Sequence, residues 1–197
     1  MNTLQLDQSL MIGKGRDRIC FRHPDDPDFC IKVAQRSDEK QTRREKDYFL
    51  YLLKKGKDLR YIAPYMGSVR TSYGEGALFP MIQDDNGQVS PTLTEAIQSG
   101  LYDHDLVCRK LDTLKEYLIE NGICTRDVSP NNILCRRRGG QVDFILVDGV
   151  SNPNLNPLTI RMPALTRRAL EKSWTSLRTK VARLMSEFNT TYMLQAP

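Results

Sequence analysis

Short apolar runs broken by turn residues fill the start of the chain, and past residue 37 they give way to helical spacing. Leu10-Met11-Ile12 precedes Gly13-Lys14-Gly15, and Arg18-Ile19-Cys20-Phe21 and Phe29-Cys30-Ile31-Lys32-Val33 flank a Pro- and Asp-rich connection over residues 23–28. That alternation predicts three antiparallel strands. From Ser37 the pattern predicts a helix, with Ser37 as its cap, Asp38 and Glu39 at its positive end and Gly56 as its stop. Glu45, Tyr48 or Phe49, and Leu52 share one face of it, which turns Glu45 inward with the packing residues. Residues 62–69 and 76–82 predict two further strands. The polar run Gln83-Asp84-Asp85-Asn86-Gly87-Gln88 offers turn residues and little to bury, so it is the expected boundary between lobes 1–83 and 84–197, with a hinge that leaves a cleft.

In the second half, a short helix is expected near residues 93–97 and a longer one over about 103–121, where Val107, Leu111, Leu114 and Leu118 recur at helical spacing and Gly122 ends the run. Residues 133–135 and 142–147 predict a hairpin, with Arg136, Arg137 and Arg138 at a solvated tip. A Pro- and Asn-rich stretch, 152–157, precedes a final helix from about Pro163. Leu170, Trp174, Leu177, Val181, Leu184 and Phe188 give that helix a continuous apolar stripe. Packing on the second lobe is the plain expectation; a partner-binding or membrane-surface helix competes with it because the flanking residues are basic.

The chemistry concentrates between Arg126 and Gly149. Asp127 and Asn132 lie five positions apart in a Pro-containing loop, and Asp148 follows the apolar run Phe144-Ile145-Leu146-Val147. Two carboxylates and a carboxamide suit a magnesium ion carrying a polyphosphate beside a hydroxyl.

Composition narrows the class without choosing a partner. With 40% apolar and 27% charged residues in 197, a globular protein with one core or two small lobes is expected. The apolar runs are strand-sized and the N-terminus has neither a basic start nor an apolar continuation, so a cytoplasmic location without a transmembrane segment is expected. Cys20, Cys30, Cys108, Cys124 and Cys135 form no Cys-x-x-Cys pair, and His23 and His104 lack metal-ligand spacing, so neither zinc nor a disulfide framework is suggested. A net charge of +5 favours anionic partners of any kind.

The order of these pieces resembles the protein kinase-like fold, and the nearest family is identified as the small bacterial YrbL-type proteins of the PhoP regulatory network. The resemblance covers roughly the first 150 residues. It implies an α+β, reduced bilobal architecture, with an antiparallel N-terminal sheet and a mainly helical C-terminal lobe. By that resemblance Gly13 and Gly15 belong to a glycine-rich turn over phosphates, with Arg18 near the place of the missing third glycine. Lys32 is similar to the strand lysine that neutralises phosphate charge, and Glu45 to its helix partner. Asp127 is similar to the catalytic aspartate that accepts the hydroxyl proton; Asn132 and Asp148 are similar to the metal ligands. Phe79, Met81 and Ile82 would form the apolar lip for adenine.

The implied function is an ATP- and Mg2+-dependent phosphotransferase acting on a hydroxyl of a small molecule, a glycan or an unusual protein. Thr125 stands where histidine is usual, Ser129 where lysine is usual, and Asp148-Gly149-Val150 replaces Asp-Phe-Gly. Fewer than fifty residues follow Asp148, too few for the usual protein-substrate platform. A nucleotide-binding pseudokinase or regulatory protein is therefore one alternative, with a protein partner on the C-terminal helix. A basic nucleic-acid-associated protein is the other, although no helix-turn-helix, zinc-finger or aromatic RNA-binding signature accompanies it.

Overall fold

Residues 3–15, 17–35, 40–125, 128–150 and 163–195 are described by a computed structural model of the chain, with backbone alone at 40–42, 44, 163 and 191–195. The chain is α+β and divides into two units, one of residues 1–57 and 63–82, the other of residues 58–62 and 83–197.

In the first unit, β1 (Met11–Lys14), β2 (Arg18–Arg22), β3 (Phe29–Ala34), β4 (Gly67–Thr71) and β5 (Gly74–Pro80) form an antiparallel sheet in the order β1-β2-β3-β5-β4. Its central strands are rich in branched and aromatic side chains, which fit a pleated surface buried on both faces. On one face Phe21, Ile31 and Val33 join Leu6 in a core flanked by Leu4, Leu10, Ile19, Val69 and Leu78. The N-terminal segment closes this face by exchanging backbone hydrogen bonds with β4, Leu4 N–H to Arg70 O at 2.9 Å and Ser72 N–H to Leu4 O at 2.9 Å. Helix α1 (Lys40–Lys54) covers the other face: Tyr48, Phe49 and Leu52 are buried, and Phe49 meets Phe79 edge-on with centroids 6.3 Å apart. Each such side chain contributes about 1.5–3 kcal/mol by leaving water. The expected cap residues Ser37, Asp38 and Glu39 lie outside the described residues. Gly56, at φ +60°, stands where the stop was expected.

Two strand boundaries depart from the sequence pattern. The strand expected over 62–69 begins only at Gly67, because Pro64 lacks an N–H and Ile62, which belongs to the second unit, instead bridges Leu146 of that unit's hairpin. The strand expected over 76–82 starts two residues earlier and stops at Pro80. Gly76 is required where it stands, since a Cβ there would collide with Cγ2 of Ile31.

In the second unit, α2 (Leu93–Gln98) starts in a capping box between Thr92 and Glu95, and α3 (His104–Glu120) is capped by Asp103. Strands β6 (Ile133–Arg138) and β7 (Gln141–Leu146) form the expected hairpin. The final helix α4 (Pro163–Gln195) packs on α2 and α3. Its stripe is used internally: Leu170, Trp174, Leu177 and Val181 are buried, and Phe188 lies against Gly100. Two of its basic residues meet acidic ones of α3, Arg167 with Glu116 at 2.9 Å and Arg178 with Asp112, while Lys115 reaches back to Glu171 at 2.9 Å. The Pro- and Asn-rich stretch 152–157 lies outside the described residues. Among the described residues no helix is long and apolar enough to cross a membrane.

The polar run 83–88 has a structural task that its composition hides. Asp84 is buried and accepts from the Ser90 hydroxyl at 2.6 Å, the Arg137 amide at 2.9 Å and the Arg137 guanidinium at 3.0 Å. Arg136 pairs with Asp143 at 3.2 Å, so two of the three arginines expected at a solvated tip are engaged, while Arg137 and Arg138 are both exposed as expected. Burial alone would raise the Asp84 carboxyl, but the bonds from Arg137 and Ser90 hold it below its ordinary 3.8. A depressed folded-state value adds stability that is complete above the ordinary value and is lost as pH falls through the folded one. Urea unfolding followed by the fluorescence of Trp174 is therefore expected to show a stability loss below about pH 4. Asp84→Asn should flatten that slope and cost about 1–3 kcal/mol at pH 7.

Candidate functional site

Strand register sets which side chains share a surface in the first unit. Cys20 stands directly opposite Lys32, Lys32 opposite Ala77, and Cys30 opposite Phe79, so Arg18, Cys20, Cys30, Lys32, Ala77 and Phe79 occupy the face covered by α1. The Lys32 ammonium lies over the Phe79 ring, 4.3 Å from its centroid. Phe79 is only 1% exposed, wedged between Phe49 and Tyr65, so it supports the lysine from beneath. Met81 and Ile82 follow β5 and are buried, with the Met81 amide donating to Asp28 O at 2.7 Å. Cys30 lies beside Cys20; that contact and burial together push its thiol well above the ordinary range.

Glu45 is buried on α1, as its helical position predicts, and it accepts a hydrogen bond from the guanidinium of Arg18. Sequence reasoning singled out Glu45 but not this partner. The signal available was the alternation along β2, which puts Arg18 on the same face as Cys20 and therefore as Lys32.

Gly13 and Gly15 are both exposed, and neither has a positive φ. A Cβ on Gly13 would meet nothing within 4 Å, and one on Gly15 would only touch Arg18 O at 3.5 Å. The fold therefore does not demand glycine at either position, although glycine in a strand costs conformational entropy.

In the second unit the hairpin brings the backbone of Asn132 to within one residue of Asp148. Pairing of Ile133 with Leu146 sets Asn132 across from Val147, whose amide donates to Asn132 O at 2.8 Å. Asp148 is the next residue, half-buried, with the Gly149 amide donating to its Oδ1 at 2.7 Å and Gly149 at φ +79°. Asn132 closes a 3-10 turn over Pro130–Asn132 through its amide to Ser129 O at 2.9 Å. Thr125 bridges Val150, which ties the start of the loop to the end of the hairpin. Arg126 and Asp127 lie outside the described residues. Among the described residues no three His, Cys, Asp or Glu side chains cluster, so a hard ion held by Asn132 and Asp148 would take its other oxygens from phosphate and water, a donor set that fits magnesium.

The family described as PhoP regulatory network protein YrbL matches residues 4–182. The chain belongs to that family. Its relatives include the YrbL proteins of Escherichia coli (strain K12) and Shigella flexneri, both described as uncharacterized. Each is 34% identical over 177 residues, spanning 87% of this chain and 84% of the relative. The match spans residues of both units, from the N-terminal segment into α4.

Proposed function

We propose that the chain is an ATP- and magnesium-dependent phosphotransferase of protein kinase-like fold, acting on a hydroxyl of a small molecule, a glycan or an unusual protein. The observation that carries this reading is the register of β6 and β7, which sets Asn132 across from Val147 and so brings its backbone within one residue of Asp148 at the open end of the hairpin. Magnesium held there would neutralise phosphate charge during transfer. Asp127, five residues before Asn132, would take the hydroxyl proton. Lys32, supported on Phe79, would counter the phosphates, and the backbone at Gly13 and Gly15 would approach them closely. Adenine would rest near Phe79, Met81 and Ile82.

Gly13→Ala separates this reading from a purely structural one. Because the fold has room for a Cβ, thermal stability is expected to hold or to rise by about 0.4–1 kcal/mol. Affinity for MgATP is expected to fall at least about fivefold, since the methyl group occupies the space a phosphate needs. Unchanged affinity in a folded Gly13→Ala protein would count against a phosphate role for the turn.

A nucleotide-binding regulatory protein without transfer is the second reading. It is favoured by Thr125 and Ser129 at positions where a transferase of this type carries histidine and lysine, and by the family's regulatory-network description. Labelled ATP, magnesium and a panel of hydroxyl compounds, with Asp127→Ala as the control, test the two: label transfer that Asp127→Ala abolishes supports the transferase, and saturable binding with neither transfer nor self-phosphorylation supports the regulator. For the nucleic-acid reading, α4 offers fewer available cations than its sequence suggests, because Arg167 and Arg178 are paired with acidic residues of α3.

A further inference from the structure

Arg18 touches two parts of the first unit at once. Its carbonyl accepts the Gly15 amide at 2.8 Å, closing the base of the glycine turn, and the Gln35 side chain clamps the same place by donating to Gly15 O at 2.7 Å. Its guanidinium reaches the buried carboxylate of Glu45 on α1. Arg18 and Glu45 are 8% and 4% exposed, and a buried ion pair of this kind rarely stabilises more than apolar packing would, so stability alone does not account for it. From Glu45 the packing continues through Phe49, on the next turn of α1, to Phe79 and then to Lys32, whose ammonium lies over that ring. Register also makes Arg18 and Lys32 diagonal neighbours on one face, Arg18 opposite Ala34 and Lys32 opposite Cys20.

We propose that Arg18 is a positioning residue for the nucleotide: through Glu45 it fixes the seat of α1 against the strand that carries the glycine turn, and so couples that turn to Lys32. This rests on the nucleotide-binding reading above. It assigns the residue near the missing third glycine a task of its own, holding the Glu45 carboxylate so that α1 and the turn move as one body. Arg18 acts through Glu45 and is not placed on the reacting atoms.

The test is a double-mutant cycle read by MgATP affinity and by hydrogen exchange at the α1 amides. Arg18→Gln is expected to weaken MgATP binding about tenfold and to speed exchange at residues 45–52 by about tenfold, with Arg18→Lys staying within about threefold of the parent. In a Glu45→Gln background, Arg18→Gln is expected to add nothing further to either readout. This arm leaves no buried unpaired carboxylate, so it still reports if Arg18→Gln alone fails to fold. Equal losses in both backgrounds, or no loss in a folded Arg18→Gln protein, would overturn the proposal. If the parent protein binds no MgATP, the nucleotide reading falls by itself, and the exchange data alone decide whether Arg18 holds α1.

Discussion

Asp148→Asn is expected to lower affinity for MgATP about 100-fold while leaving the weaker affinity measured in chelator unchanged. An amide keeps the size and the bond from the Gly149 amide but removes the charge that a hard divalent ion requires. Asp127→Ala should give the opposite profile. Phosphoryl transfer should fall about 10²–10⁴-fold, with MgATP affinity within about twofold of the parent, because a proton acceptor acts on the hydroxyl and not on the bound nucleotide. Calorimetric titration with and without magnesium, paired with single-turnover transfer of label, separates the two profiles. Equal effects of both variants on binding would mean that the division of labour between these carboxylates is wrong.

Trp174→Ala is expected to destabilise the second unit by about 3–5 kcal/mol, enough to consume much of an ordinary domain's stability. The indole is 1% exposed and lies in the row Leu170, Trp174, Leu177, Val181 that seats α4 on α2 and α3. Among the described residues its ring N–H has no hydrogen-bond partner. Trp174→Phe therefore deletes an unsatisfied donor along with some volume, and its cost should stay below about 1.5 kcal/mol. Chemical denaturation followed by far-ultraviolet circular dichroism measures both, since Trp174 is the single tryptophan and its removal abolishes the fluorescence signal. A loss below 1 kcal/mol in Trp174→Ala would mean that α4 contributes little to the core.

Local pattern carried most of the fold. Short apolar runs bounded by Gly, Pro and Asp read as β1 to β3, and the recurrence of Val107, Leu111, Leu114 and Leu118 read as α3, because each depends only on neighbours in sequence. What the pattern could not reveal were interactions between distant segments. Ile62 looks like the start of a strand yet bridges Leu146, and the run 83–88 looks like a linker yet buries Asp84 under Arg137. Arg136 and Arg137 read as part of a charge run because their partners, Asp143 and Asp84, lie 7 and 53 positions away. The candidate site divides in the same way. The backbone proximity of Asn132 and Asp148 was legible because one hairpin joins them, whereas the Arg18–Glu45 pair spans 27 positions and two element types. Nothing in composition marks Arg18, among many arginines, as buried.

Titration of the protein with ATP, first in chelator and then in saturating magnesium, for the parent and for Lys32→Met, bears most directly on the central claim. Saturable one-to-one binding should strengthen at least about tenfold with magnesium, and Lys32→Met should weaken it about 10- to 100-fold, as the loss of a charged contact to phosphate requires. Binding that ignores both the metal and Lys32, or no saturable heat at all from a folded protein, would contradict the account.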